Sequence, residues 1–310
     1  MLSRLTPLAL VTLVTFAAHT TAAHAQRLGR TPERQSISVA GQERTFVIRT
    51  PRDAPARGAK RPLVLALHGG GGSGLISEKM TGFTALVERE GIIVVYPEGT
   101  GRNPTRLLTW NAKHCCARAM EQNVDDVRFI STLLDTLIAR YPVDPARIYI
   151  TGMSNGAMMT HRLGIALAGR VAAIAPVVGT LFGDEVRPAY PVPAIIFNGM
   201  ADKSVPYAGG TSGGRARRAW QSDARPAREQ GTFWAATNGC DATPTSTTRG
   251  TIVHTVYRCP AGREVELYAL TDGGHAWPGG QSGSRRGDAP SPELNATDVM
   301  WTFFKAHARN

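Results

Sequence analysis

Ser154 has the sequence setting of a nucleophile. It stands in Gly152-Met153-Ser154-Asn155-Gly156, between a strand read over residues 147–151 and a helix read over 155–167. A G-x-S-x-G run at a strand-to-helix turn is a nucleophile elbow: the turn is so sharp that its flanking residues must be small, and it lifts the serine hydroxyl above the sheet. The start of the following helix favours negative charge developing there. A serine of this kind needs an imidazole base, and the base needs a carboxylate to hold its tautomer. Asp202 follows a strand over 192–197 through Asn198-Gly199-Met200-Ala201. His275 follows a strand over 264–270 through Thr271-Asp272-Gly273-Gly274. Each falls beyond the carboxyl end of a strand, where open α/β sheets carry their sites.

Other residues compete for these roles. Asp184 and Asp223 are rival acids that do not directly follow a strand, and Asp272 is too near His275 in the chain to orient it easily. His254, the rival base, lies inside a strand-like run. Acyl transfer also needs N–H donors for the tetrahedral oxyanion. The backbone N–H of Asn155 is one expected donor; the loop His68-Gly69-Gly70-Gly71-Gly72 is expected to supply the other from Gly70, with Gly71 as the alternative. His68 is expected to shape that loop rather than to act as a base. Trp277, two residues after His275 in a Gly- and Pro-rich loop, is expected to line the cleft and hold an acyl chain or a sugar ring against its flat face. The competing reading packs it onto the core.

The four cysteines allow three pairings. Cys240 and Cys259 flank a strand-like run over 251–257, and a bond between them would contribute about 3 kcal/mol by loop closure. Adjacent Cys115 and Cys116 are either bonded in a tight ring or free. With His114 beside them they hint at a metal, but adjacent cysteines rarely aim both sulfurs at one tetrahedral ion and no C-x-x-C spacing exists, so no metal is expected.

These side chains need a frame. Residues 36–39 and 45–49 flank Ala40-Gly41-Gln42 and read as an antiparallel hairpin. Continuous apolar strands follow over 62–67 and 91–96, and another over 171–178. Val127, Ile130, Leu134, Leu137 and Ile138 recur at helical spacing behind Asn123 as the cap. Helices are also read over 229–237 and 293–307. Strands alternating with helices give an α/β fold: a mostly parallel central sheet covered by helices on both faces, edged by the N-terminal antiparallel hairpin.

The chain has 310 residues, 42% hydrophobic and 19% charged, enough for a sizeable core. Its net charge of +11 is carried mostly by arginine. The densest basic stretch, Arg215, Arg217, Arg218, Arg225 and Arg228, lacks the aromatic interleaving of single-strand binders, so it reads as a solvated loop and no nucleic-acid partner is expected. Arg4, an apolar run over 8–18 and the ending Ala23-His24-Ala25 have the layout of a secretory signal over residues 1–25, too short for a membrane span. Residues 26–310 are then expected as one catalytic domain, secreted to an oxidising compartment and free of the membrane once the signal is cleaved.

Several ordered motifs resemble the secreted polyhydroxybutyrate depolymerase and feruloyl esterase family of α/β-hydrolases. They are Leu67-His68-Gly69-Gly70-Gly71, the segment from Trp110-Asn111 through Cys115-Cys116 to Asn123-Val124-Asp125-Asp126-Val127, the elbow, Asn198-Gly199-Met200-Ala201-Asp202 with Val205-Pro206-Tyr207, and Gly273-Gly274-His275-Ala276-Trp277-Pro278-Gly279. The resemblance implies an α/β-hydrolase fold and a cofactor-free esterase with Ser154 as nucleophile, Asp202 as orienting acid and His275 as base. Met153 stands where fungal tannase-like relatives carry a cysteine beside the nucleophile, which disfavours that subfamily. With no polymer-binding domain read after Phe304, the expected partners are small or oligomeric hydroxyalkanoate esters ahead of polymer. Feruloyl or acetyl xylan esters are the alternative, and an inactive hydrolase-fold binding module the non-enzyme one.

Overall fold

The computed structural model describes residues 34–53, 55–213, 219–283 and 287–309. The expected signal segment and Arg215, Arg217 and Arg218 lie outside the described residues. From Arg34 onward the chain forms one compact unit.

Ten strands form one sheet: β1 (Gln35–Val39), β2 (Gln42–Arg49), β3 (Arg61–Leu67), β4 (Ile93–Pro97), β5 (Val143–Met153), β6 (Ala173–Val177), β7 (Ala194–Gly199), β8 (Thr245–Arg249), β9 (Ile252–Tyr257) and β10 (Val265–Leu270). Their order is β1-β2-β4-β3-β5-β6-β7-β10-β9-β8. The six strands from β4 to β10 pair in parallel, while β1 and β2 edge one side and β9 and β8 the other in antiparallel fashion. The expected hairpin edge is present. On the other edge, β9 matches the strand-like run read over 251–257, whereas β8 escaped the sequence reading because it has no buried side chain and so no apolar alternation to detect.

Alternate residues of β3 divide between two cores. Leu63, Leu65 and Leu67 pack with α4 (Asp126–Arg140), α5 (Asn155–Ala166) and α6 (Ala227–Asn238). Val64 and Ala66 pack with α1 (Gly74–Thr81), α2 (Thr84–Glu90) and α7 (Ala296–Ala306). That division is the period-2 alternation of a strand covered on both faces. One further short helix, α3 (Ala117–Glu121), precedes α4.

Several boundaries differ from expectation by two or three residues, β7 and α7 among them. The cap of α4 is Asp125, whose carboxylate accepts from the Arg128 N–H at 2.9 Å, while Asn123 sits just before it with φ of 47°. Strand β5 runs from Val143 to Met153, longer at both ends than the apolar run suggests. At its far end Gly152 and Gly156 are required. A Cβ on Gly152 would lie 2.6 Å from the Gly156 carbonyl oxygen, and one on Gly156 would lie 2.5 Å from the His68 carbonyl oxygen.

Candidate active site

Parallel pairing brings four strand ends to one edge of the sheet. Gly152 of β5 is level with Leu67 of β3, and Leu270 of β10 is level with Gly199 of β7. The segments beyond them carry His68 to Gly72, Ser154, Asp202 and His275. Ser154 turns the corner with φ of 58° and ψ of −121°, a left-handed conformation that projects its side chain off the sheet. The loops after β7 and β10 are bonded to each other, Met200 N–H to the Leu270 carbonyl at 2.8 Å and Ala201 N–H to the Gly273 carbonyl at 2.9 Å. Asp202 and His275 are therefore held in register.

The three expected side chains meet. His275 Nε2 lies 2.9 Å from Ser154 Oγ, and His275 Nδ1 lies 2.7 Å from Asp202 Oδ2. The other Asp202 oxygen accepts from the Ser204 and Val205 N–H groups at 2.7 and 2.8 Å. The carboxylate is thus buried, fixed and satisfied, and as an acceptor it sets the imidazole with its proton on Nδ1 and a lone pair facing the serine hydroxyl.

The rivals lie elsewhere. Asp184 is bonded to His114, Asp223 accepts from the Thr211 hydroxyl, Asp272 is exposed and His254 is bonded to Glu266 across neighbouring strands.

The glycine loop separates the two oxyanion alternatives. Gly71 N–H donates to the Leu108 carbonyl at 2.8 Å and is thereby used. Among the described residues no acceptor engages the N–H of Gly70 or that of Asn155. A Cβ on Gly70 would lie 3.6 Å from Asn155 Cβ, so the two donors are neighbours. Beneath them His68 is fully buried. Its Nδ1–H donates to the Gly69 carbonyl at 2.8 Å and its Nε2 accepts from Gly99 N–H at 3.0 Å. Burial holds its pKa down at about 4, so the ring is a neutral strut for the loop.

A cleft of about 240 Å³ opens above Ser154 and His275, walled by Gly69 to Gly72, Ile76, Met80 and Asp288 among others. Trp277 reaches this wall, but only 1% of it is exposed. Its indole N–H donates to Thr297 Oγ1 at 3.0 Å and its ring meets the Phe83 edge. The expectation of a flat ring facing substrate is therefore corrected: the indole pins the His275 loop onto the core.

Sequence reasoning missed two supports. Asp288, 13 residues further on, accepts the His275 N–H at 2.6 Å. Asp126, fully buried, takes Arg44 at 2.7 Å and the Asn111 N–H at 2.8 Å. Burial raises the Asp126 carboxyl pKa, against the pull of Arg44. Its place in a quoted motif marked it, but no spacing rule links it to Arg44.

Disulfides join Cys240 to Cys259 and Cys115 to Cys116. No group of three or more metal-binding side chains occurs among the described residues, and no described helix is long and apolar enough to cross a membrane.

Comparison with known proteins decides the family. Residues 48–208 match the family described as Esterase PHB depolymerase. The chain belongs to that family. It is thus a carboxylic ester hydrolase of α/β-hydrolase fold. The esterase-named protein NocK of Nocardia uniformis subsp. tsuyamanensis is 30% identical over 260 residues, 79% of this chain and 74% of its own length. Feruloyl esterase B of Piromyces equi is 32% identical over 229 residues, 72% of this chain and 41% of its own length. Poly(3-hydroxyalkanoate) depolymerase C of Paucimonas lemoignei is 28% identical over 255 residues, 71% and 56%. The chain therefore spans less than two thirds of the latter two. Among solved structures, acetyl xylan esterase from Aspergillus awamori superposes with a TM-score of 0.60 at 16% identity, covering 88% of this chain and 99% of that one. At that identity the likeness carries the fold alone.

Proposed function

We propose that this family member is a secreted serine esterase that cleaves short and oligomeric hydroxyalkanoate esters through an acyl-enzyme on Ser154. The observation that carries the reading is the Ser154–His275–Asp202 relay, with contacts of 2.9 and 2.7 Å at a strained elbow. His275 takes the Ser154 proton as Oγ attacks the ester carbonyl, and Asp202 stabilises the imidazolium. The N–H groups of Gly70 and Asn155 receive the oxyanion. His275 then hands its proton to the departing alcohol, and a water activated by the same ring releases the acid.

The cleft and the relatives support this substrate class. A volume of about 240 Å³ among glycine backbone and apolar side chains lies below the usual range for drug-sized ligands, which suits short acyl and alcohol groups. The relative named a poly(3-hydroxyalkanoate) depolymerase supports the hydroxy-acid half. Residues 1–25 are read as the export signal and 26–310 as the catalytic domain; two disulfides fit an oxidising compartment.

The test is a side-by-side rate measurement on hydroxybutyrate oligomers, methyl ferulate and polymer film, with Ser154→Ala as control. Oligomers are expected to be cleaved fastest. A clear preference for ferulate would overturn the substrate class, and activity surviving in Ser154→Ala would overturn the mechanism. N-terminal sequencing of protein recovered from outside the cytoplasm should begin at Gln26.

A further inference from the structure

The Cys115–Cys116 disulfide lies against the residue proposed as an oxyanion donor. Cys115 is fully buried and Cys116 nearly so. The Asn155 carboxamide reaches back from the first turn of α5 to clasp the Trp110 backbone: Oδ1 accepts Trp110 N–H at 2.7 Å and Nδ2 donates to the Trp110 carbonyl at 3.0 Å. The same Nδ2 lies 3.7 Å from Cys115 Sγ. Cys116 N–H donates to that same Trp110 carbonyl at 3.1 Å, and the Trp110 indole N–H donates to the His68 carbonyl at 3.0 Å. One bonded cluster thus joins the disulfide turn to both segments that offer N–H groups above the cleft. The turn is held from outside as well, with Gln221 N–H on the His114 carbonyl at 2.8 Å and the His114 ring on Asp184 and Ser222.

We infer that the Cys115–Cys116 disulfide is a positioning element for the Asn155 N–H, so that turnover depends on its being oxidised. The inference rests on the oxyanion role proposed above. Two bonded sulfurs occupy less room than two thiols, which must move apart to van der Waals contact. Cys115 Sγ lies against the Asn155 carboxamide, and both cysteines share a buried cluster with Met158 and Val205, so thiols take their room from these neighbours and alanines leave the carboxamide without the sulfur it packs on. Movement of Asn155 tilts its N–H away from the developing oxyanion, while Ile76, Met80 and Gly283, which also line the cleft, stand outside the bonded cluster. With dithiothreitol as reductant the balance is simple: its two thiols lose two hydrogens and close to a cyclic disulfide, and the S–S bond gains them and opens as two thiols.

The experiment measures kcat and KM on a short chromogenic ester, and the affinity of an aryl trifluoromethyl ketone that becomes an oxyanion when Ser154 adds to it. The chains compared are wild type, Cys115→Ala/Cys116→Ala, Asn155→Ala and their combination. A displaced catalytic group costs up to about a hundredfold, so kcat and ketone affinity are each expected to fall at least about tenfold in the cysteine variant, with KM unchanged. Asn155→Ala should show a similar loss, and the combined loss should be less than the product of the two. Dithiothreitol should reproduce the effect in wild type and in Cys240→Ala/Cys259→Ala. Full kcat in the cysteine variant beside a loss in Asn155→Ala overturns the positioning role and leaves the proposed mechanism standing. Full kcat and ketone affinity in Asn155→Ala, which keeps its backbone N–H, overturn the carboxamide clasp on which the positioning role rests; ketone binding as tight to Ser154→Ala as to wild type would overturn the proposed mechanism instead. If the cysteine variant does not fold, wild type in dithiothreitol decides: two titratable thiols from Cys115 and Cys116 with kcat unchanged overturn the inference.

Discussion

Ser154, His275 and Asp202 form one hydrogen-bonded relay in this molecule, and Ser222, His114 and Asp184 form another. In the second, the Ser222 hydroxyl lies 3.0 Å from His114 Nδ1 and Asp184 Oδ2 lies 2.9 Å from His114 Nε2. The distances match those of the first relay; the surroundings do not. The Asp202 side chain is 2% exposed against 52% for Asp184, and the histidines are 19% and 27% exposed. A carboxylate in water stabilises an imidazolium weakly, because the solvent screens it. The imidazole is also turned end for end, with Nδ1 rather than Nε2 facing the serine. Ser154 stands at a strained elbow beside two unengaged N–H groups, whereas Ser222 lies in an irregular segment. His114 holds down the Asp184 pKa by hydrogen bonding, as an ordinary surface pair does. On the proposed mechanism, three residue types at bonding distance are not enough for a catalytic centre; burial of the acid, presentation of the serine and oxyanion donors are needed as well.

The largest expected difference between the two relays is at the serines. Ser154→Ala should lower kcat by about a millionfold with the unfolding temperature unchanged, while Ser222→Ala should stay near wild type. Comparable losses in both would erase the distinction. Next come the acids. Asp202→Asn keeps a hydrogen-bonding group but favours the wrong tautomer and should cost about 10⁴ in kcat, whereas Asp184→Asn should cost no more than about twofold, because solvent already screens its charge.

A third test concerns histidines that belong to neither relay. His68 and His161 are buried and held down to about 4, by desolvation in both cases. Both are released to about 6.5 on unfolding. Below 6.5 the unfolded chain binds protons that the folded chain refuses, so stability falls as pH drops from about 6.5 towards 4, by on the order of 3 kcal/mol for each ring. Denaturant titrations between pH 6.5 and 5, above the carboxylate range, should reveal this slope; a flat profile would mean that these rings are charged inside the protein.

The smallest effect separates Trp277 from the relay it borders. Trp277→Phe removes the hydrogen bond to Thr297 and should cost about 1 kcal/mol of stability with kcat within twofold. A shift in KM across acyl-chain lengths would return the ring to the substrate site.

The parallel sheet and the meeting of Ser154, Asp202 and His275 were legible because they depend on local sterics and strand ends. An elbow needs small neighbours, a buried strand reads as a continuous apolar run, and strands in parallel deliver their following loops to one edge. Trp277 misled because nearness along the chain does not say which way a side chain turns. Asn155 was legible as a backbone donor, but its carboxamide grips Trp110, 45 residues earlier, and only the fold reveals that grip. Arg44 reaches Asp126 across 82 residues, and even the 13 between His275 and Asp288 follow no spacing rule. The second relay was invisible for the same reason: His114, Asp184 and Ser222 follow no strand, and the bonds that unite them span 70 and 108 residues.

Strand β8, Thr245-Ser246-Thr247-Thr248-Arg249, ends the sheet with every side chain in solvent. Its outer rim offers unpaired backbone donors and acceptors, the template on which another chain could add and start a fibril. Here addition would satisfy backbone groups that water already satisfies, and it would bury no apolar face. Branched threonines keep the strand pleated, while hydroxyls and a guanidinium keep it wet. The sheet therefore ends in a selvedge that resists fraying without inviting another edge to be sewn onto it, which favours solubility at high concentration.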